Sequence, residues 1–371
     1  MDRRQFLVTV PVAAVAMSSA GTANASPAAN ASTAADDIDW YDVREWGVEG
    51  RGFDDTEAYF DRLPARAKDV VRPEVWSLAR NSAGMSVRFE ADTTAVHVRY
   101  TLTTSGLAMP HMPATGDSGL DLYGRQGSRW HWIATLQPTQ QVITDDLHSQ
   151  IAPGRRAYQI NLPLYNGVES LEIGVPAAAA FEPIAPRTRK PILFYGTSIT
   201  QGACASRPGM AFVSILGRRL DRPMLNFGFS GNGRTELEVA RFLAELDPAI
   251  FVVDTIANTP ADGIEERMVP MVSILAENHP DTPVLIVDER RRAELPLVPH
   301  LVEYHEQKTK ALRKAFETLK DAGVDVHFRR SDDLIGRDGE GTVDGSHPND
   351  LGMMRYADAL EPDLRRLLRR R

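Results

Sequence analysis

Apolar and polar positions follow two different patterns along the chain. Between residues 40 and 180 they alternate over short stretches, and this period of two is typical of strands that are buried on one face. Short strands separated by frequent turns predict an antiparallel, jelly-roll-like β-sandwich. Trp130 and Trp132 share one face of such a strand, where we expect them to pack, since a sugar-stacking surface would need them exposed. The clearest predicted strands are 85–90, 94–100, 130–136, 157–162 and 170–175.

From residue 191 onward the pattern changes. Unbroken apolar runs alternate with stretches of helical periodicity, and this order predicts a parallel sheet that is covered by helices on both faces. The predicted strands are 191–195, 223–227, 249–253, 283–287 and 324–328. The predicted helices lie near 210–220, 235–246, 263–279, 300–322 and 351–368.

Residues 176–190 separate the two patterns. The composition shifts in this stretch, which contains three prolines, and such a shift is typical of a connection between domains. Two domains are also the usual arrangement for a chain of 371 residues. We therefore predict a β-sandwich domain at 39–180, a linker at 181–190 and an α/β domain at 191–371.

The N-terminus has the features of an export signal. Arg3 and Arg4 precede a short apolar stretch, and Ala23-Asn24-Ala25 has the small-x-small pattern of a cleavage site. The apolar stretch is too short to span a bilayer, and no other segment is predicted to do so. We predict a Tat-type signal peptide at 1–25, a flexible leader at 26–38 and a periplasmic or secreted protein.

Composition narrows the classes of partner. An apolar content of 43% and a charged content of 25% are ordinary for a soluble globular protein. The net charge of −8 provides no positive field that would attract nucleic acid, so we expect no such partner. The single cysteine, Cys204, cannot form an intramolecular disulfide. A catalytic thiol would need its own base, so we interpret Cys204 more simply as a small residue that packs in the fold.

The first strand of the predicted α/β domain ends in a candidate nucleophile. The apolar run Ile192–Tyr195 gives way at once to Gly196, and Ser198 follows two residues later. Open α/β folds bind their ligands at the carboxyl edge of the sheet, where this hydroxyl is expected. Taken alone, the stretch fits an ordinary Ser/Thr loop equally well.

A late Asp-x-x-His motif supplies what such a serine lacks. Asp344 and His347 are separated by Gly-Ser and followed by a proline, just before the last predicted helix. At this spacing the carboxylate can reach the imidazole and leave its Nε2 free to take a proton from a serine. The motif alone would fit a surface turn, but together with Ser198 it predicts a catalytic triad.

Two other strand ends offer donors for an oxyanion. The glycine-rich loop 228–233 contains Gly231, and backbone N–H groups in such a loop are free to point at developing negative charge. No Lys-Ser/Thr follows the loop, so we do not expect it to bind phosphate. Asn258 follows the strand 249–253 and can add its side-chain amide, although turn chemistry is an equal alternative.

Three further residues are candidates for contacts with substrate. Arg234 lies just past the glycine-rich loop. Glu289 follows the fourth strand of the predicted sheet, although a run of charges such as the one from Glu289 to Arg292 more often marks a solvated surface. His111 lies in the long loop 109–118, which either reaches over the active site or only joins two strands.

These blocks resemble the SGNH (GDSL-type) hydrolase superfamily, which is named for Ser, Gly, Asn and His in four separate blocks. Ser198 lies in a stretch that is similar to the first block, with Thr197 where the commoner form has Asp. Gly231 matches the second block, and Asp344-Gly-Ser-His347 matches the last. Asn258 corresponds to the third block, which departs here from the usual Gly-x-Asn-Asp. The resemblance covers about residues 190–370 in the expected order.

The N-terminal half carries a second resemblance. Gly119-Leu-Asp-Leu-Tyr123 is similar to the Gly-x-Asp-Leu-Tyr signature of a domain that precedes the catalytic domain in one subgroup of SGNH-type esterases. Tyr59-Phe-Asp-Arg-Leu-Pro64 is similar to that subgroup too, so residues 40–185 resemble its β-sandwich module. The family implies a flavodoxin-like three-layer α/β/α catalytic fold, with no metal or organic cofactor.

The resemblance also implies a serine esterase. Ser198 would attack an ester carbonyl, His347 would carry the proton, and Asp344 would orient the imidazole. The N–H groups of Ser198 and Gly231, with the Asn258 amide, would hold the oxyanion. The predicted export, the sandwich domain and analogy within the superfamily favour esters with a short acyl chain. Acetyl esters of carbohydrates are the first choice, and the substrate is either a small molecule or a polysaccharide. The alternatives are a lipid or aryl esterase, an acyltransferase and an inactive carbohydrate-binding protein.

Overall fold

The computed structural model describes residues 37–292, 297–331 and 333–370. The predicted signal peptide at 1–25 lies outside these residues, as does the predicted leader except for its last two positions. Two antiparallel sheets come first along the chain and one parallel sheet follows, which is the order that the two sequence patterns predict.

Strands and helices occur in the expected succession. The strands are β1 (Ile38–Asp42), β2 (Ser86–Asp92), β3 (Val96–Leu102), β4 (Asp121–Gln126), β5 (Arg129–Thr135), β6 (Val142–His148), β7 (Arg155–Asn161), β8 (Val168–Pro176), β9 (Ala180–Ile184), β10 (Ile192–Gly196), β11 (Met224–Gly228), β12 (Ile250–Asp254), β13 (Val284–Val287) and β14 (Val326–Arg329). The α-helices are α1 (Pro73–Ala79), α2 (Ala114–Asp117), α3 (Ser198–Gln201), α4 (Phe212–Leu220), α5 (Leu237–Leu243), α6 (Ile264–Asn278), α7 (Pro299–Asp321) and α8 (Asp350–Leu368). Within the described ranges, no helix is both long and apolar enough to cross a membrane.

The antiparallel sheets form the predicted β-sandwich. One sheet has the strand order β1-β8-β3-β6 and the other β5-β4-β7-β2-β9. β3 is buried at every second residue, as its alternating sequence predicts. Apolar side chains of both sheets, such as Val98 of β3 and Phe89 of β2, belong to one buried core. The sandwich therefore gains its stability from apolar side chains that both inner faces remove from water.

The parallel sheet has the order β11-β10-β12-β13-β14. The second strand along the chain lies outside the first, as in flavodoxin-like folds, so the predicted fold class is confirmed. Each of its five strands and each long helix corresponds to a predicted element. Two apolar cores, one on each face, bury the sheet between helices. Gly196 is the register partner of both Gly228 and Asp254, so three strand ends meet at one edge.

The predicted linker overlaps a strand. β9 pairs antiparallel with β2, with Pro183 opposite Phe89, and forms one edge of the five-stranded sandwich sheet. Residues 181–184 therefore belong to the sandwich, although the prediction places them in a linker that begins at 181. Pro183 suits an edge strand, because one side of the backbone of such a strand needs no hydrogen-bonding partner in the sheet. Local composition cannot reveal a pairing with a strand so far back in the sequence.

Residues 63–79 also differ from the prediction, which assigns them to the sandwich domain. Leu63 and Val75 are fully buried in the same core as Phe227 of the parallel sheet. The segment that includes α1 therefore covers one face of the α/β half rather than the sandwich.

Arg62, in the Tyr59–Pro64 stretch, anchors this segment. Its side chain is 1% exposed and donates to the carbonyls of Asn226 at 2.9 Å and Gly228 at 2.8 Å. A third hydrogen bond runs to the carbonyl of Leu78 at 2.6 Å. Burial lowers the pKa of the guanidinium to about 9. The three carbonyls offset the cost of removing this cation from water.

Candidate active site

The end of β10 places Ser198 at the carboxyl edge of the parallel sheet. The Thr197 hydroxyl caps α3 by accepting the backbone N–H of Ile199 at 3.3 Å, and Ser198 is the first residue of that helix. Ser198 is 7% exposed, so its hydroxyl lies in a largely water-excluded position. The first N–H groups of a helix have no partner within the helix, and that of Ser198 has no acceptor among the described residues.

The loop before α8 brings His347 and Asp344 to this serine. His347 Nε2 lies 2.9 Å from Ser198 Oγ, and His347 Nδ1 lies 2.7 Å from Asp344 Oδ2. Asp344 Oδ1 accepts the backbone N–H groups of His347 at 2.7 Å and Ser346 at 3.0 Å. The three side chains form one hydrogen-bonded row in which a proton can pass from the hydroxyl to the imidazole.

Electrostatics keep the Asp344 carboxyl ionised. Partial burial would raise its pKa, but the hydrogen bonds from the backbone and imidazole of His347 and from the Ser346 N–H lower this pKa to about 2. The carboxylate therefore accepts a hydrogen bond from the Nδ1–H group at any ordinary pH. That bond leaves Nε2 of the neutral imidazole as the acceptor that faces Ser198.

Three donors at neighbouring strand ends lack acceptors within the described residues. They are the backbone N–H groups of Ser198 and Gly231 and the amide Nδ2 of Asn258, which is buried. Gly231 has φ +67°, and a side chain would be strained in that backbone conformation. A buried donor without a partner costs about 1–3 kcal/mol. Such donors are typical of a site that a substrate oxygen completes.

Side chains of β11 and α3 hold the glycine-rich loop beside the serine. Gln201 Oε1 accepts the backbone N–H of Ser230 at 3.0 Å, and Asn226 Nδ2 donates to the carbonyl of Thr200 at 2.7 Å. A Cβ at Gly233 would lie 1.9 Å from the carbonyl oxygen of Gly196, so only glycine permits this approach. The loop and the nucleophile helix therefore form one rigid unit.

Arg290 is a residue that the sequence reasoning missed. It belongs to the run that was interpreted as a solvated surface, yet its side chain is 3% exposed. Its Nε donates to the backbone carbonyl of Ser346 at 2.7 Å, and Nη2 donates to the Ser346 hydroxyl. Arg290 thus fixes the loop between Asp344 and His347. The usable signal was its position directly after a buried strand at the ligand-binding edge of the sheet.

Glu289 is buried as well, at 8% exposure. Its carboxylate lies 3.2 Å from the ammonium of Lys308, which donates to the carbonyls of Ile256 at 2.9 Å and Ala257 at 3.3 Å. These contacts support the turn that carries Asn258. A contact between Glu289 and substrate stays a prediction, and the interpretation of this residue as part of a solvated surface is wrong.

The sandwich half contributes to the site from two loops. The rings of His111 and His347 have centroids 5.8 Å apart, so the loop 109–118 does reach the candidate catalytic residues. The Tyr165 hydroxyl donates to the backbone carbonyl of Ser198 at 3.3 Å. No sequence pattern pointed to Tyr165, because its role depends on contact between distant parts of the chain.

The Asp of the Gly-x-Asp-Leu-Tyr motif joins the two halves. Asp121 is fully buried and accepts hydrogen bonds from Arg207 at 2.6 Å and from the Gly209 N–H at 3.1 Å. Asn161 of β7 donates to the same carboxylate at 2.8 Å. Arg207 and Gly209, the two donors from the α/β half, lie shortly after Cys204 in the sequence. The motif therefore fixes the sandwich against a loop that borders the site.

Trp132 does not pack inside the sandwich as expected. Its side chain is 51% exposed, and the Arg207 guanidinium lies 5.2 Å from its ring centroid. Trp130, on the same strand, is only half-buried. The indole of Trp132 therefore presents apolar surface to solvent beside a residue of the interdomain contact.

Arg234 lies on the glycine-rich loop at the surface. Its Nε donates to the carbonyl of Gly231 at 2.9 Å, and its backbone N–H donates to Glu236 at 2.8 Å. The structure therefore brings Arg234 beside the candidate oxyanion donor. Its contact with substrate stays a prediction.

Two buried acidic groups near Ser198 behave differently from Asp344. Burial raises the pKa of Asp254 to about 6, against hydrogen bonds from Tyr356 at 2.8 Å and Thr200 at 3.3 Å. Burial likewise raises the pKa of the Cys204 thiol to about 12. A neutral thiol is a weak nucleophile, so Ser198 and not Cys204 is the candidate for attack.

Comparisons with known proteins match both halves of the chain. Residues 189–365 match the model of the GDSL-like lipase/acylhydrolase family, and residues 38–181 match the model for the N-terminus of SGNH-hydrolase-type esterases. The structure of a candidate GDSL-like lipase from Bacteroides ovatus is 31% identical with a TM-score of 0.85, and the match covers 90% of this chain and 98% of that one. The chain belongs to the GDSL-like lipase/acylhydrolase family.

Family membership confirms the resemblance in both halves of the chain and makes the protein a carboxylic ester hydrolase. The salicylyl-acyltransferase SsfX3 of a tetracycline biosynthetic pathway shares the fold at 16% identity, a TM-score of 0.71 and coverage of 89% and 97%. A family two carbohydrate esterase from Cellvibrio japonicus shares it at 15% identity, a TM-score of 0.59 and coverage of 90% and 98%. A search of curated proteins gave no match.

Proposed function

We propose that the protein is an exported serine esterase that hydrolyses short-chain acyl esters, acetyl esters of carbohydrates in particular. The observation that carries the proposal is the hydrogen-bonded row from Ser198 Oγ through His347, at 2.9 Å from Nε2, to Asp344, at 2.7 Å from Nδ1. Acyl transfer to a serine requires a base within this reach that is held in the correct tautomer.

In the first half of the reaction, Ser198 Oγ attacks the ester carbonyl while its proton moves to His347 Nε2. Asp344 stabilises the imidazolium that results, because its carboxylate is ionised at the pH of the reaction. The tetrahedral intermediate then collapses, the alcohol departs with the proton from Nε2, and the acyl group remains on Ser198.

The negative charge of the intermediate needs donors that are already in place. The N–H groups of Ser198 and Gly231 and the Asn258 amide fill this role in the proposal, since none of them has an acceptor within the described residues. In the second half, His347 takes a proton from water and the resulting hydroxide equivalent attacks the acyl-enzyme. The bond between the acyl carbon and Ser198 Oγ then breaks, Oγ takes the proton back from Nε2, and the carboxylic acid leaves. The same donors stabilise the oxyanion in both halves of the reaction.

Carbohydrate as the alcohol is supported by two observations. Trp132 exposes 51% of its surface next to Arg207, and an exposed indole suits stacking against the apolar face of a sugar ring. The family two carbohydrate esterases have the same fold. The acyl chain of a simple lipid ester has no ring that would stack on this indole.

Export is the second part of the proposal. Arg3 and Arg4, the apolar stretch after them and the Ala23-Asn24-Ala25 pattern support a Tat-type signal with cleavage near Ala25. Acetylated polysaccharides lie outside the cytoplasm, so export of the protein agrees with the proposed substrate.

Hydrolysis of p-nitrophenyl acetate, butyrate and octanoate by the wild type and by Ser198→Ala tests the chemistry. We expect the highest kcat/KM on acetate and a loss of at least about 10⁴-fold in kcat in the variant. Ser214→Ala, a serine on α4 away from the site, is the matched control and should keep full activity.

Acetate release from acetylated xylan then tests whether the alcohol part of the ester is a carbohydrate. Release by the wild type and none by Ser198→Ala supports the proposal. A rate that rises with chain length would instead indicate lipid esters, and acyl transfer to added sugar alcohols would indicate an acyltransferase. Binding to glycans by both proteins without turnover in either would support the carbohydrate-binding alternative.

A further inference from the structure

Three side chains of metal-binding type meet at the candidate active site. His111, Cys204 and His347 each have a ligand atom within 4.8 Å of the other two. His111 belongs to the sandwich half, whereas Cys204 follows α3 and His347 precedes α8. This is the one such group of three or more His, Cys, Asp or Glu residues among the described residues.

The chemistry of the cluster fits a thiophilic cation. One thiolate and two imidazoles are ligands that Zn²⁺ prefers, with bonds of about 2.0–2.3 Å in a tetrahedral arrangement. Ligand atoms around such an ion are about 3.4–3.6 Å apart, so shifts on the order of 1 Å close the cluster around it. His111 is exposed and can make this adjustment. Three protein ligands leave the fourth position to water.

The cluster shares one atom with the proposed reaction. Nδ1 of His347 lies 2.7 Å from the Asp344 carboxylate, so Nε2 is the nitrogen that remains for a metal. The same Nε2 lies 2.9 Å from Ser198 Oγ and is the proposed proton acceptor. A cation and the Ser198 proton therefore compete for one lone pair.

We propose that His111, Cys204 and His347 form an inhibitory site for Zn²⁺ or a similar thiophilic divalent cation. Binding forms one metal–sulfur and two metal–nitrogen bonds, and the Cys204 thiol releases its proton to water. The ion then holds His347 away from Ser198 and stops ester hydrolysis reversibly. The ion is an inhibitor and not a cofactor, so the metal-free protein is the active form.

The inhibitory role rests on the proposed function, but metal binding can be measured without it. Co²⁺ reports a cysteine ligand through a sulfur-to-metal charge-transfer band, and the chain has one cysteine. We expect this band when the full-length, chelator-treated Ser198→Ala protein is titrated with Co²⁺, and we expect Zn²⁺ to abolish it. Cys204→Ser should show no band. Absence of the band from Ser198→Ala would overturn the inference whatever the esterase activity.

Inhibition is tested on the active protein. EDTA should leave p-nitrophenyl acetate hydrolysis at its full rate, and Zn²⁺ should inhibit it in a way that EDTA reverses. Cys204→Ser should keep the basal rate but require at least about tenfold more Zn²⁺ for the same inhibition. Removing a direct metal ligand lowers the affinity for the metal more than removing a residue that only orients a ligand. His111→Ala should show the same shift in Zn²⁺ concentration.

His300→Ala, an exposed histidine on α7, is the matched control and should keep the wild-type sensitivity. Equal Zn²⁺ sensitivity of wild type, Cys204→Ser and His111→Ala would overturn the proposed ligand set. Loss of activity on EDTA treatment would overturn the inhibitory role.

Discussion

The two halves of the molecule contribute to the site in different ways. The α/β half supplies Ser198, Asp344 and His347 from strand ends and their loops, with distances of 2.7 and 2.9 Å along the row. The sandwich half supplies side chains that border this row, namely His111 and Tyr165, from loops between strands. The first group has the chemistry of acyl transfer, whereas the second lies against the residues of the first.

This difference suggests a division of roles that can be measured. Changes at the strand ends of the parallel sheet should lower kcat on every ester, because they act on the transition state. Changes in the sandwich half should act on the choice of ester and leave the smallest substrates unaffected. Four substitutions test this division.

Asp344→Asn should have the largest effect of these four changes. An amide at this position favours the wrong tautomer of His347, and loss of a triad carboxylate typically costs about 10⁴-fold in kcat. We expect at least about 10³-fold here on p-nitrophenyl acetate, because the Asp344 side chain is 43% exposed and water can replace part of its role. Asp338→Asn, in the same segment before α8, should change kcat by less than about threefold. A similar loss in both variants would contradict the assignment.

Asn258→Ala should lower kcat by about 10²–10³-fold and leave KM nearly unchanged. The amide nitrogen of Asn258 is buried without a partner, and a donor that is used only for the oxyanion acts in the transition state. Asn278→Ala, at the exposed end of α6, serves as the control. An unchanged kcat would show that Asn258 serves only the turn that it ends.

Asp254→Asn should change the pH dependence of stability. The pKa of Asp254 is about 6 in the folded protein and about 3.9 in an unfolded chain. Between these values the native state holds a proton that the unfolded state has lost, so the wild type loses about 2 kcal/mol of unfolding free energy as pH rises from 4 to 6. Urea unfolding at pH 4, 5, 6 and 7 should show the variant gaining this amount relative to the wild type. A difference that stays constant over this range would contradict the raised pKa, and Asp262→Asn, an exposed carboxyl, is the control.

Trp132→Ala should have the smallest effect and the most selective one. We expect KM for acetylated xylan to rise by about three- to tenfold, in line with one aromatic stacking contact. The kcat/KM for ethyl acetate should not change, since this substrate has neither a sugar nor an aromatic ring that could stack on the indole. Trp130→Ala on the same strand is the matched control. Equal losses on both substrates would show that Trp132 serves the fold and would remove the contrast between the two halves.

Much of this architecture could be predicted because the signals are local. The strand that ends at Gly196, the Asp344–His347 turn and the alternation of helices and strands each lie within a short stretch of sequence. Their positions at one sheet edge follow from the rule that ligands lie at the carboxyl ends of parallel strands. The GDSL-like family match confirms that reading of the fold.

What could not be predicted depends on contacts between distant segments. A charged run such as the one at Glu289 and Arg290 has the same composition whether it is solvated or, as here, buried against the loop of Ser346. The pairing of β9 with β2 converts part of a proline-rich stretch into an edge strand. The exposure of Trp132 depends on its being on an edge strand of the sandwich, which alternation alone does not reveal.

The buried guanidinium of Arg62 also bears on how the chain folds during synthesis. Its acceptor at Asn226 lies 164 positions later, which corresponds to roughly 10–30 s of translation at about 5–20 residues per second. Until β11 has emerged from the ribosome and paired, this cation must stay in water, and the segment that includes α1 cannot settle into place. The N-terminal half is thus made first but cannot be completed before β11 has formed, and its apolar surface stays exposed to water until then.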